Sequence, residues 1–185
     1  MTADSLMVGL QFAAELQGSG IRLGFNSLHA GASVNHLHFQ FWWNVRALPI
    51  ELEAVETVVA SDRLLVQRDK GYLSRFILFT FDKATPGHVV EAVMPALQHL
   101  VRLGVPYNLI LVSGRLFLLP RRAVQEHLGS INVGFPEVAG SAFVPSRSDF
   151  EALGAEDVLQ YWQKHVRVDD ATFEGVVDIV KQASL

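Results

Sequence analysis

Between Ser33 and Trp43 the chain reads SVNHLHFQFWW, and from Val34 to Trp42 polar and apolar side chains alternate, strictly so from His36 to Phe41. Period two over that many residues predicts a strand with one face in a core. A strand needs partners, and the chain supplies candidates on both sides. IRLGFNS (21–27) precedes it; ELEAVETVVAS (51–61) and GYLSRFILFTF (71–81) follow, with an exposed turn expected at 68–71 between them. YNLILVSGRLFLLPR (107–121) reads as a hairpin around Ser113 and Gly114, and EVAGSAFVPS (137–146) as a last strand.

Helical periodicity is confined to four places. Leu6, Leu10, Ala13 and Ala14 recur at helical spacing and are stopped by the Gly-Ser-Gly at 18–20. Pro86 opens an amphipathic helix that ends at Gly104, and Pro95 inside it is expected to kink or divide it. Two more helices, 154–166 and about 169–181, close the chain. The predicted order is α-β-β-β-β-α-β-β-β-α-α. Strands that do not alternate with helices predict an α+β fold, an antiparallel sheet with helices packed on it.

With 185 residues, the chain is expected to form a single domain over 1–185, or two packed halves at about 1–83 and 84–185. Half of its residues are hydrophobic and 12 are Phe, which excludes intrinsic disorder. The net charge of −4 offers no clustered basic surface, so no nucleic-acid partner is expected. No apolar run reaches the ~20 residues of a membrane-spanning helix, so no membrane partner is expected either. Cysteine is absent, which removes disulfides and thiolate chemistry and suits a cytoplasmic protein. The mean hydropathy of +0.25 is high and fits a core on both sheet faces or an oligomer interface.

The one dense polar constellation is Asn35-His36-Leu37-His38-Phe39-Gln40. On a strand, His36, His38 and Gln40 share one face, while Leu37, Phe39 and Phe41 take the core face. From the residues, three readings stand side by side. The stripe is the solvated face of an edge strand; or it is half of a zinc site, with no third ligand close in sequence; or it handles a phosphoryl group, with an imidazole as nucleophile and its neighbours bonding the oxygens. Arg115, Arg121 and Arg122 flank the hairpin and read as solvated arginines.

The wider string GFNSLHAGASVNHLHFQ (24–40) resembles the active-site segment of the GDP-hexose phosphorylases, in the galactose-1-phosphate uridylyltransferase-like branch of the histidine triad superfamily. GVPYNLILVSGRLFLLPR (104–121) is similar to that family's strand-turn-strand, and PEVAGSAFVPSRSDFEAL (136–153) to its C-terminal signature. The resemblance implies a histidine-triad-like sheet and a nucleotidyltransferase that moves a nucleoside monophosphate from a nucleoside diphosphate sugar to inorganic phosphate. By the same resemblance His38 is the nucleophile, His36 orients its ring or contacts phosphate, and Gln40 bonds phosphoryl oxygens. Asn26, Ser33 and Asn35 occupy positions of small polar groups near the phosphates. Hydrolase members carry a third histidine where this chain has Gln40, which has no titratable proton, so transfer is favoured over hydrolysis. No cofactor and no metal are implied, and histidine triad relatives suggest a homodimer.

Two departures accompany the resemblance. The family has N-terminal strands before the first helix seen here, and this chain is expected to lack them. Its C-terminal signature has a histidine where this chain has Ser141. A catalytically inactive nucleotide-binding domain of the same fold is therefore the alternative, and a dinucleoside-polyphosphate phosphorylase a third.

Overall fold

A computed structural model of the protein describes residues 1–184. Seven strands form one antiparallel sheet: β1 (Ile21–Asn26), β2 (Gln40–Trp43), β3 (Val55–Ala60), β4 (Leu65–Asp69), β5 (Ile77–Thr80), β6 (Tyr107–Val112) and β7 (Arg115–Pro120). Their spatial order is β2-β1-β6-β7-β5-β4-β3. The fold is the predicted α+β architecture.

The central hairpin β6–β7 is apolar on both faces because both are covered. Leu109, Leu111, Leu116 and Leu118 enter one core, and Ile110, Val112, Phe117 and Leu119 enter the other. The first core is roofed by α1 (Ala3–Glu15), α2 (Pro86–Leu103) and α3 (Asp170–Ala183). Each buries a stripe at helical spacing, such as Val89, Val93, Ala96 and Leu100 on α2. Pro95 stands inside α2, and the helix continues past it to an αL cap at Gly104. The second core is closed by short pieces: a turn of helix at Pro49–Leu52, another at Phe135–Val138, and the helix Ala155–Tyr161, which runs into a π turn at Trp162–Val166.

Four expectations are corrected. The strand read from Val34 to Trp42 begins only at Gln40. Alternation describes side chains, but a ladder needs a partner, and β1 pairs with β2 only from Ile21 to Gly24. Val34 and Leu37 are consequently exposed, Phe39 is half-buried, and Phe41 faces outward at 62% exposure. The segment 137–146 is no strand: Glu137 turns back to accept the Gly134 amide at 2.9 Å, closing a helical turn, and irregular chain follows. The expected turn at 68–71 begins inside a missed strand, β4, whose mixed Leu-Val-Gln-Arg-Asp composition hides it. A short helix that the sequence pattern does not predict spans Arg147–Ala152, capped by Ser146.

Candidate functional site

The polar side chains of β1, β2 and β6 meet on the second-core face, at the end where β2 leaves the sheet. Gly24 of β1 pairs with Gln40 of β2 and with Ile110 of β6, and Asn26 pairs with Asn108. Gly24 has to be glycine: a Cβ there would stand 2.0 Å from the Phe135 ring. That ring lies over the strand and meets Trp42 edge-on, with centroids 6.0 Å apart, which fixes the floor next to Gln40.

From Asn26 the chain turns through Ser27–Gly31, held by Ser27 and Tyr107 exchanging bonds of 2.8 and 3.0 Å. Gly31 has φ of 88° and presses on the backbone at 133–134, where a Cβ would come within 2.8 Å of the Val133 carbonyl. The chain then crosses 33–39 as irregular backbone. Within it the His38 Nδ1 lies 3.0 Å from the His36 carbonyl oxygen. A carbonyl only accepts, so Nδ1 carries the proton and the lone pair is on Nε2. The two imidazoles are 5.3 Å apart and tilted by 58°. It is the main chain of His36, not its ring, that orients His38.

Behind this loop a row of carboxamides runs into the sheet. Asn26 Nδ2 donates to Gln40 Oε1 at 3.3 Å and to the Gly31 carbonyl at 3.4 Å. Asn108 Nδ2 donates to Asn26 Oδ1 at 2.7 Å and to the Ala30 carbonyl at 3.1 Å. Arg121 Nη1 donates to Val133 O at 2.8 Å and, at 3.5 Å, to Asn108 Oδ1. Asn26, Asn108 and Arg121 are 5%, 0% and 1% exposed. Burial pulls the Arg121 guanidinium down to about 10, so it is charged and donor-only at neutral pH. No carboxylate among the described residues pairs with it, and its Nη2 is buried without a hydrogen-bond partner.

The structure thus joins Gln40 to Asn26 through a hydrogen bond, with His38 on the loop two residues before Gln40. His36 contributes its carbonyl. Ser33 and Asn35 are exposed on the same loop. Arg121, read as solvated, is buried; Arg115 is held by Glu51 at 3.1 Å and does not face the loop. Asn108 is not among the residues the motifs single out; its one sequence signal is a polar residue in the otherwise apolar YNLILV. Among the described residues no three His, Cys, Asp or Glu side chains cluster as metal ligands, and no helix is long and apolar enough to cross a membrane.

Two family profiles together match all of this chain but residues 43–48. One, described as "GDPGP1-like, N-terminal domain", matches residues 1–42; the other, "GDPGP1-like, C-terminal domain", matches 49–185. The chain is 28% identical to GDP-L-galactose phosphorylase 2 of Arabidopsis thaliana over 165 residues, which is 82% of this chain and 38% of that protein. It is 26% identical to GDP-D-glucose phosphorylase 1 of Danio rerio over 190 residues, 93% of this chain and 54% of that one. It therefore spans between about a third and a half of the length of these relatives. Among solved structures, the yeast Ap4A phosphorylase Apa2 in complex with Ap4A superposes with a TM-score of 0.65 at 16% identity, covering 91% of this chain and 65% of that one. That likeness shows the histidine-triad-like fold.

Proposed function

We propose, from the premise that the chain belongs to the GDPGP1-like family, that it transfers a nucleoside monophosphate from a nucleoside diphosphate hexose to inorganic phosphate. The names of its relatives point to GDP-hexoses as the donor class. In the first step His38 Nε2 attacks the α-phosphorus; the bond to the bridging oxygen breaks and hexose 1-phosphate leaves. In the second, an oxygen of inorganic phosphate attacks the same phosphorus, the P–N bond breaks, and the nucleoside diphosphate departs with His38 neutral again. Each step exchanges one bond at phosphorus, and the protein regains its starting state.

The observation that carries this reading is the Nδ1 bond from His38 to the His36 carbonyl, because it leaves Nε2 as the only nucleophilic nitrogen of that ring. Gln40 stands two residues on and supplies a neutral hydrogen-bonding group for charge that develops on the phosphoryl oxygens. It has no titratable proton, so it can neither take a proton from an attacking water nor give one to a leaving group, which favours transfer over hydrolysis. Ser33 and Asn35, on the exposed loop, are proposed as further phosphate contacts.

Incubation with GDP-glucose labelled at the α-phosphate should leave an acid-labile label on the protein. His38→Ala should lose it, and His38→Gly should regain turnover with added imidazole. Label that persists in both variants would place the nucleophile elsewhere.

For assembly, we propose a homodimer of a cytoplasmic protein that pairs through the β2 edge. β2 stands at the edge of the sheet, and Phe41 and Trp43, on the face that α1 flanks, are 62% and 65% exposed, with Phe12 of α1 edge-on to Phe41 at 5.6 Å. Sedimentation at micromolar concentration should show a species of twice the 20.5 kDa chain mass, and a single-chain species would sink the dimer.

A further inference from the structure

The carboxamide row has a direction. Arg121 has only donors, so the amide oxygen of Asn108 faces it. That contact is long at 3.5 Å, but the Ala30 carbonyl, which only accepts, independently requires the Asn108 nitrogen on its side. With its nitrogen committed, Asn108 presents a donor to Asn26, whose oxygen therefore points inward. The Asn26 nitrogen then points outward, and the Gly31 carbonyl again demands that same orientation. Asn26 offers a donor to Gln40, so Gln40 turns its oxygen to Asn26. Its Nε2 is left on the other side, with no hydrogen bond inside the chain among the described residues.

A free glutamine carboxamide can flip, presenting oxygen or nitrogen at similar cost. A phosphoryl oxygen accepts only, so one of those two states helps a nucleotidyl transfer and the other repels it. Resting on the nucleotidyl-transfer reading, we propose that Asn108 is a positioning residue: through Asn26 it locks the Gln40 carboxamide with its NH₂ toward the phosphoryl group. Asn108 is fully buried and reaches Gln40 only through Asn26. The arrangement explains why a buried, carboxylate-free arginine is kept under the sheet. Its donors fix the inner end of the row, and a Leu or Met of similar volume would leave the Asn108 oxygen without a partner.

Asn108→Asp tests the idea, because it keeps the shape, offers Arg121 a carboxylate, and turns the donor facing Asn26 into an acceptor. The acceptor facing Asn26 Oδ1 drives a flip of Asn26 at the loss of its Gly31 bond, and Gln40 flips with it, which points the Gln40 oxygen at the substrate. The rate of His38 labelling by GDP-glucose should fall about tenfold or more in the wild-type background and less than about twofold in the Gln40→Ala background. Equal losses in both backgrounds would mean that Asn108 acts only on the scaffold and would overturn the proposal.

A second measurement needs neither a variant nor a sugar nucleotide. Addition of inorganic phosphate to the full, ¹⁵N-labelled chain should shift the side-chain NH₂ signals of Gln40, while those of Asn26 and Asn108 stay protected from exchange and in place. Gln40 signals indifferent to phosphate, or rapidly exchanging Asn26 and Asn108 amides, would refute the lock. Should the wild type fail to label with any nucleoside diphosphate sugar, the transferase reading falls, and the amide spectrum alone decides for or against the lock.

Discussion

The loop 33–39 and the row Asn26–Asn108–Arg121 serve one proposed site from opposite kinds of structure. The loop is exposed, irregular, and determined by neighbours in sequence: His38 is oriented by a carbonyl two residues before it. The row is buried, built on β1, β6 and the residue that follows β7, and its members are up to 95 positions apart from first to last, Asn26 to Arg121. The contrast separates two tasks. A nucleophile has to be reachable, and a hydrogen-bond donor for the phosphoryl group has to point one way. The first needs surface and the second needs a scaffold.

This contrast can be broken by substitution. The largest effect is expected at His38. His38→Ala should lower turnover by about 10⁴-fold or more, yet shift the melting temperature by no more than a degree or two, since only the bond to the His36 carbonyl is lost. Assay and calorimetry on the same preparation check both halves. Next comes Asn108→Leu, which leaves the Asn26 oxygen and an Arg121 donor without partners. It should cost about 2–3 kcal/mol and roughly 4–10 °C in melting temperature. Gly24→Ala follows: the new methyl meets Phe135, and the overpacking should cost about 1–3 kcal/mol. A melt shows the loss, and labelling of the remaining folded protein should slow as Gln40, its partner in register, is displaced.

A smaller effect is expected at His36→Ala, because the group that orients His38 is main chain. Labelling should persist with a rate reduced only a few-fold, as quench-flow would show; complete loss would mean the His36 ring itself takes part. Smallest of all, Ser33→Ala and Asn35→Ala should leave stability within about 0.5 kcal/mol and act, if at all, on the substrate concentration needed for half-maximal rate.

What could be read in the sequence follows the same division. β1, the β6–β7 hairpin, α2 and α3 are written locally, in alternation, a two-residue turn, an N-terminal Pro and an αL Gly, and they are where expected. The His36–His38–Gln40 spacing was equally legible. The buried row was not, because Asn108 and Arg121 gain meaning only through pairing β1 with β6 and β6 with β7. Arg121 follows an apolar run and looks like any strand-end arginine until Val133 is seen to cover it. The segment 137–146 misled for a related reason: its apolar alternation belongs to a turn pinned by the buried Glu137 carboxylate, which bonds the Gly134 and Phe143 amides. In each case the hydrogen-bond partners of a buried polar side chain, near or far in sequence, overrode a local pattern.

The point at which β2 joins the ladder has a dynamic meaning. Gln40 is its first paired residue, opposite Gly24, while His38 lies on chain that makes no ladder pairs. In the proposed transfer an attacking nitrogen starts about 3 Å from phosphorus and has to come within bonding distance, and in the second step it has to give that shift back. Chain outside the ladder can swing through such a distance without breaking a rung of the sheet. The carboxamide beside it, tied into the first rung, stays where it was. In the proposed transfer the border between ladder and loop therefore divides the travelling partner from the stationary one, and it runs through the single residue Phe39.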